Sequence, residues 1–291
     1  STKNDTPHLD RMAKEGMKLT SFYVASPVCS PSRAALMTGS YPKRVGLAKG
    51  SGHVVLFPGD VHGLNPKEIT IAEMLKEQGY ATGCYGKWHL GDQPEFLPTR
   101  QGFDTYFGIP YSNDMTGRKD GSRPPLPLMR NERVIEAPVD QTRLTERYTQ
   151  ETIRFIQQHQ RDSFFIYLPH TFPHVPLFAG VQHKGKSKNG LYGDVIEELD
   201  TSTGAILNTL RKLGLDRRTM VIFTSDNGAT GGKGRSNGPL RGAKGTTWDG
   251  GMREPFVAWW PGQIPSSSTS DALTSTIDLL PTLAHLADAD I

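Results

Sequence analysis

One cysteine of this chain stands where a negative charge would be stabilised. Cys29 lies just before a predicted helix, and Arg33 follows in the first turn of that helix. A helix N-terminus and a guanidinium each favour an anion nearby. The residues alone leave three interpretations open: a reactive thiolate, a cradle for phosphate, or a cysteine that is simply buried.

Further polar side chains follow apolar runs of strand length. His174 comes shortly after the run at 164–168, and Asp226 with Asn227 follows the run at 220–224. Ligands of open α/β sheets bind beyond the carboxyl ends of the strands, so these positions are candidates for a site. Taken singly they are weak candidates, because Asp-Asn-Gly is also typical of a turn and a lone histidine is often structural.

The elements that must position these residues are an alternation of helices and short strands. Apolar periodicity and capping residues predict helices over 7–15, 69–78, 194–213 and 275–286, the last interrupted or bent near Pro281. Strands are predicted at 81–85, 164–168, 220–224 and 256–260. Successive apolar residues are typical of strands covered on both faces. We therefore expect an α/β fold, with a mostly parallel central sheet sandwiched between helices and a long loop at 110–138.

Composition excludes several classes of protein. The 291 residues carry a net charge of only +3, and basic residues are scattered, which argues against a nucleic-acid groove. No apolar run approaches the ~20 residues of a transmembrane helix. The chain opens with polar residues, so no signal peptide is expected within it. Two cysteines, Cys29 and Cys84, do not make a disulfide framework.

Five segments, in order along the chain, resemble the signature motifs of the formylglycine-dependent sulfatases of the alkaline phosphatase superfamily. They are residues 27–39 with Cys29 and Arg33, 86–91 with Lys87 and His89, 173–176 with His174, 226–228 with Asp226 and Asn227, and 242–253 with Lys244. The resemblance runs from residue 6 to residue 283, and residues 108–112, ending in Ser112, resemble the arylsulfatase A branch. The order and number of the motifs make this resemblance specific.

The resemblance implies a sulfuric ester hydrolase whose nucleophile is a formylglycine, made from Cys29 by a maturation enzyme. It assigns catalytic roles to Cys29, Arg33, Lys87, His89, His174 and Lys244. Substrate binding is assigned to Lys87, Ser112, His174 and Lys244. Asp226, Asn227 and the modified Cys29 would hold Ca²⁺, with Mg²⁺ as the alternative cation, since oxygen ligands suit hard cations.

The chain departs from the family pattern at both ends. The family's paired aspartates, which supply two more metal ligands, precede the segment at which this chain begins, and a smaller C-terminal subdomain usually follows. We expect residues 1–291 to form one sulfatase catalytic domain without the first strand and without that subdomain. Such a stretch alone should bind Ca²⁺ weakly.

The sequence indicates only the general class of the substrate and of the cellular location. A small-molecule, glycan or lipid sulfate ester is expected, in a periplasmic or secreted protein, or a lysosomal one in a eukaryote. Two alternatives stay open: a phosphonate or phosphate ester hydrolase of the same superfamily, and an inactive fragment that retains the fold.

Overall fold

The computed structural model describes residues 4–50, 52–117, 123–232 and 235–290. Its α-helices are α1 Pro7–Glu15, α2 Cys29–Thr38, α3 Ile71–Glu77, α4 Leu144–Gln158, α5 Gly190–Lys212, α6 Asp249–Met252 and α7 Leu279–Leu286. Its strands are β1 Met17–Leu19, β2 Phe22–Tyr23, β3 Ala81–Lys87, β4 Thr105–Ile109, β5 Leu128–Arg130, β6 Arg133–Glu136, β7 Phe164–Tyr167, β8 Val221–Thr224, β9 Phe256–Trp259, β10 Ser268–Ser270 and β11 Thr274–Ser275. Short 3-10 turns lie at Pro94–Phe96, Pro98–Arg100, Gln141–Arg143, Asp216–Arg218 and Thr276–Asp278.

The chain divides into two compact units. The first unit comprises Ser1–Pro27 and Leu177–Ser275, and the second comprises Val28–Pro176 and Thr276–Ile291. The first unit contains a four-stranded sheet in the order β10-β1-β9-β8 and the small pair β2-β11. The second contains a five-stranded sheet in the order β6-β5-β4-β3-β7. The single domain predicted over 1–291 stays a prediction.

The predicted α/β class is confirmed, but the sheets are mixed rather than mostly parallel. In the second unit β4, β3 and β7 run parallel, whereas β5 and β6 add on in antiparallel orientation. In the first unit β9 is antiparallel to both β1 and β8. Apolar runs identify strands without giving their direction, which explains the wrong prediction of orientation.

A hairpin lies inside the stretch 110–138 that was predicted to be a loop. The strands β5 and β6 span only three and four residues, and Asn131 between them adopts a left-handed backbone with φ 53°. Asparagine tolerates this conformation better than most residues, so it suits a tight turn. Strands this short carry too little alternation to be recognised from the sequence. Residues 118–122 of the same stretch lie outside the described residues.

Two of the apolar strands are less covered than predicted. All four residues of β7 and all four of β8 are only half-buried, whereas three of the four residues of β9 are buried. β7 and β8 each stand at the end of their sheet, while β9 has a neighbour on both sides. Position within the sheet therefore separates strands that look alike in sequence.

The predicted helices correspond to α1, α2, α3, α5 and α7, whereas α4 and the short α6 were not predicted. Helix α5 begins at Gly190, four residues before its predicted start. Helix α3 begins two residues later than predicted, because Thr70 caps it through a capping box with Glu73. Pro281 was predicted to interrupt or bend the last helix, yet α7 continues through it from Leu279 to Leu286. Pro281 is the third residue of that helix, where a backbone N–H has no acceptor within the helix, so its missing N–H costs nothing.

The second unit has a continuous apolar core that supports its polar residues. α2, α3 and α7 pack together, and the fully buried Trp88 and Leu90 contribute side chains directly after β3. The Trp88 indole N–H donates to the carbonyl of Phe96 at 2.8 Å, which fixes the segment that follows β3. None of the helices in the described residues combines the length and apolar character required to span a bilayer.

Candidate active site

Cys29 and Arg33 lie at the start of α2, where the sequence had placed Cys29 one residue before the helix. Cys29 is the first residue of the helix, after the extended Val28, and both Cys29 and Arg33 are buried. The Arg33 guanidinium donates to the carbonyl oxygen of Lys87 at 2.6 Å. This bond ties the start of α2 to the end of β3, so the cysteine and the lysine motif belong to one rigid arrangement.

Lys87 is the last residue of β3 and is almost completely buried, with 1% of its surface exposed. Its ammonium donates to the hydroxyl of Ser112 at 3.1 Å, and Ser112 is also 1% exposed. A buried ammonium is costly unless it is hydrogen-bonded or faces an anion. The pair Lys87–Ser112 is therefore suited to hold an anionic group.

His89 has a strained backbone and a polarised ring. Its φ of 62° lies in the left-handed region, which a residue with a side chain adopts at a cost. Its Nε2 lies 2.9 Å from the carbonyl oxygen of Leu56, while its buried Nδ1 has no hydrogen-bond partner in the described residues. Because the Leu56 oxygen accepts, Nε2 carries the proton and Nδ1 is the basic nitrogen.

Burial is the main reason why the pKa of His89 lies well below its usual value. The positive charges of Lys87 and Arg33 and the nearby His174 lower the pKa further, while the bond to Leu56 opposes them. His89 is thus a neutral imidazole at physiological pH, with one nitrogen available to accept a proton.

Two glycines allow the segments that carry these residues to approach each other. Gly86 and Gly108 face each other in the β3–β4 register. A Cβ on Gly108 would lie 1.7 Å from the Gly86 carbonyl oxygen, and one on Gly86 would lie 2.1 Å from that of Pro169. The Lys87 N–H donates to the same Pro169 oxygen at 2.7 Å. The absence of side chains at these two positions brings together the segments bearing Lys87, Ser112 and His174.

His174 lies in the loop that follows β7. Its side chain is 21% exposed, and its Nδ1 lies 2.6 Å from the carbonyl oxygen of Val175. The carboxylate of Asp114 lies on the same side of the ring, with its Oδ1 3.9 Å from Nδ1. The sequence predicted His174 but not Asp114, which follows Ser112 closely and contributes no motif of its own.

The neighbouring His170 is a separate case. Burial of its ring lowers the pKa of His170 to about 4, and the ring lies 6.5 Å from that of Tyr148. This uncharged histidine packs against α4.

In the first unit, Asp226 and Asn227 follow β8 after the single residue Ser225. The Ser225 hydroxyl donates to the carbonyl of Asn227, and the Asn227 amide donates to the carbonyl of Gly228, both at 3.0 Å. The Lys244 N–H donates to the carbonyl of Ala229 at 3.1 Å, so the loop that carries Lys244 is fixed to this turn. The first unit thus holds Asp226, Asn227 and Lys244 on two connected loops.

Glu254 is a buried carboxyl beside this turn that sequence analysis missed. It is 7% exposed, and its Oε1 has no hydrogen-bond partner in the described residues. Burial, and to a lesser extent the charge of Asp226, raises the pKa of Glu254 to about 8. A charged residue just before the apolar run at 256–260 was the available signal.

The side chains in and beside this turn offer the type of ligand atom that a hard cation prefers. Asp226, Asn227 and Glu254 offer only oxygen, which favours Ca²⁺ or Mg²⁺ over zinc. Within the described ranges, no group of three or more His, Cys, Asp or Glu side chains is arranged to hold a metal. Their oxygen atoms are of the type that calcium binds. These three side chains supply fewer ligands than the six to eight oxygens that Ca²⁺ takes.

Comparison with known proteins decides the family. The Sulfatase family model matches residues 1–289. The chain belongs to the sulfatase family. N-acetylgalactosamine-6-sulfatase of Mus musculus is 44% identical over 302 residues, covering 97% of this chain and 58% of the relative. Arylsulfatase A of Homo sapiens is 41% identical over 308 residues, covering 98% of this chain and 60% of the relative.

Solved sulfatase structures share the fold. The crystal structure of the PsFucS1 sulfatase from Pseudoalteromonas sp. superposes with a TM-score of 0.87 at 31% identity. That match covers 98% of this chain and 62% of the other. This sulfatase-family chain therefore spans about three fifths of the curated relatives cited above. The resemblance to the sulfatases and the α/β class are both confirmed.

Proposed function

We propose that this protein hydrolyses sulfate monoesters, with a nucleophile derived from Cys29. The observation that carries the proposal is the buried Lys87–Ser112 pair, which places the positive charge of an ammonium beside a hydroxyl at 1% exposure. Named sulfatases at 41–44% identity support the same reaction. A formylglycine at position 29 would supply a hydrated aldehyde as the attacking group.

The lysines bind the sulfate in this proposal. Lys87, with Ser112 fixing its ammonium, holds sulfate oxygens and offsets the charge that grows on them in the transition state. Lys244 is proposed as a second sulfate-binding lysine. Arg33 anchors the start of α2 and keeps positive charge beside position 29.

In the proposed reaction, one histidine accepts a proton and the other donates one. His89 is neutral and presents a basic Nδ1, which suits a group that accepts a proton. His174 is proposed to protonate the departing oxygen of the substrate. Since Nδ1 of His174 is directed at the Val175 carbonyl, Nε2 is the nitrogen that exchanges the proton.

Asp226 and Asn227 would hold Ca²⁺, together with the group derived from Cys29, and Mg²⁺ is the alternative cation. The bound cation would supply positive charge next to the sulfate. Glu254 adds a carboxyl beside Asp226 whose negative form a cation would favour.

The substrate is proposed to be an aryl, sugar or lipid sulfate. The protein is proposed to meet a formylglycine-generating maturation enzyme, and to act in the periplasm, outside the cell or, in a eukaryote, in the lysosome. Loop shape decides among substrates, so the fold alone does not select one.

The first test is the mass of the peptide that contains Cys29, from the full-length protein made together with a maturation enzyme. Conversion of the thiol to an aldehyde removes about 18 Da, a covalent change that mass spectrometry resolves. The buried Cys84 is the internal control and should keep its mass.

Turnover of 4-nitrophenyl sulfate should accompany the modification, and should exceed turnover of the matching phosphate and phosphonate esters. An unmodified Cys29, in cells that convert a control sulfatase, would contradict the proposed nucleophile. A preference for the phosphonate ester would replace the proposed substrate class.

A further inference from the structure

We infer that Asp114 is a positioning residue that stabilises the protonated ring of His174. The inference rests on the proposed function, in which His174 protonates the departing oxygen. Asp114 and His174 are far apart in the sequence, and the structure brings the Asp114 carboxylate to 3.9 Å from His174 Nδ1.

The ring of His174 is fixed on its Nδ1 side. Nδ1 lies 2.6 Å from the Val175 carbonyl oxygen, so this nitrogen keeps its proton in both ring states. The Asp114 carboxylate lies on the same side. A negative charge at this distance favours the doubly protonated ring, which is the form that can donate from Nε2.

The backbone on both sides of this contact is also fixed. Asn113, next to Asp114, is completely buried. Its amide donates to the carbonyl of Pro176 and to the side chain of Gln141, both at 3.0 Å. Asn113 therefore ties the segment bearing Asp114 to the loop bearing His174, and the distance between the two side chains is held by buried bonds.

Exposure to solvent weakens the electrostatic effect of Asp114 on His174 without abolishing it. Asp114 is 43% exposed and His174 is 21% exposed. An exposed ion pair contributes little to stability, so removal of the carboxylate should spare the fold. The substitution should instead lower the rate where protonation of the leaving group limits the reaction.

The test is Asp114→Asn in the full-length, modified protein, assayed on two sulfate esters. 4-Nitrophenyl sulfate has a leaving group that departs without protonation, whereas an alkyl or sugar sulfate requires a proton. We expect kcat to fall by about 10-fold or more on the alkyl or sugar ester, and by less than about 3-fold on the nitrophenyl ester. KM should change little on either, because Asp114 acts through His174 rather than on the substrate.

Two further variants sharpen the result. Asp114→Glu restores a carboxylate and should recover part of the lost kcat. Asp162→Asn is the matched control, since Asp162 lies 2.9 Å from the Nδ1 of the surface residue His159 and should leave both substrates unaffected.

The outcomes separate the two hypotheses. An equal loss on both esters, or no loss, in an enzyme whose wild type is active would overturn the role of Asp114 alone. A modified wild type that hydrolyses neither ester would overturn the proposed function and this inference with it.

Discussion

Lys87 donates to Ser112 across 3.1 Å between two side chains that are each 1% exposed. The bond connects the residue that ends β3 to the segment that follows β4. A lysine buried to this extent depends on its polar neighbours, so the hydroxyl of Ser112 supports both the fold and the proposed sulfate site.

Ser112→Ala removes a single hydroxyl but should therefore destabilise the fold markedly. Loss of one acceptor of a buried ammonium should lower the free energy of unfolding by about 1–3 kcal/mol, as measured by urea denaturation. Ser32→Ala is the matched control, since Ser32 is equally buried and its hydroxyl has no hydrogen-bond partner in the described residues. Equal destabilisation by the two variants would show that the Lys87 contact is not the cause.

His170 should make stability depend on pH. Its folded pKa of about 4 is below that of the unfolded chain, so the unfolded state takes up a proton first as the pH falls. The free energy of unfolding should decrease from about pH 6.5 towards pH 4, by about 1–3 kcal/mol for this group. His170→Gln should flatten this part of the profile, whereas His159→Gln on the surface should not. A profile unchanged by His170→Gln would contradict the assignment.

Glu254 should make the free energy of unfolding decrease as the pH rises, opposite to the effect of His170, when no cation is bound. Its folded pKa of about 8 exceeds that of an unfolded glutamate, so its contribution is full below about pH 4.5 and is lost as the pH rises towards 8. In EDTA, Glu254→Gln should unfold at higher temperature than wild type at pH 9 and at a similar temperature at pH 5. We expect a gain of about 1–3 kcal/mol at pH 9.

The control for that experiment is Glu132→Gln, which removes an exposed carboxylate paired with Arg100 at the surface. It should not become more stable at pH 9. A Glu254→Gln protein that is equally destabilised at both pH values would indicate a lost hydrogen bond rather than a relieved charge.

Gly108→Ala should disturb the strand that presents Lys87. The new Cβ would lie 1.7 Å from the backbone oxygen of Gly86, so β3 and β4 would have to separate. Overpacking of this kind costs about 1–3 kcal/mol or more, and activity should fall with it. Gly214→Ala is the comparison: its φ of 67° is unfavourable for alanine, but its Cβ meets nothing within 4 Å. It should cost about 1 kcal/mol and leave kcat unchanged.

Local sequence signals identified several of the elements that carry the motifs, although β4, which precedes Ser112, was not predicted. A cysteine before a helical pattern gave the start of α2 to within a residue, and short apolar runs gave β7, β8 and β9. Such signals work because capping and burial are properties of neighbouring residues. The family resemblance then named candidate residues that no single pattern could have assigned.

Other features depend on contacts between distant parts of the chain. The direction of β9, the half-burial of β8 and the approach of Asp114 to His174 are set by tertiary packing, which leaves no local trace. Glu254 illustrates the same limit, because its raised pKa arises from burial and from Asp226, a residue on another loop. The hairpin β5–β6 was missed for a different reason, the shortness of its strands.

The half-buried strands β7 and β8 have a practical consequence. Each ends its sheet in the described part of the chain, and each consists of half-buried residues such as Ile222. Strand edges of this kind recruit strands from other molecules and promote aggregation. The protein should precipitate as its concentration rises, and Ile222→Lys should improve its solubility.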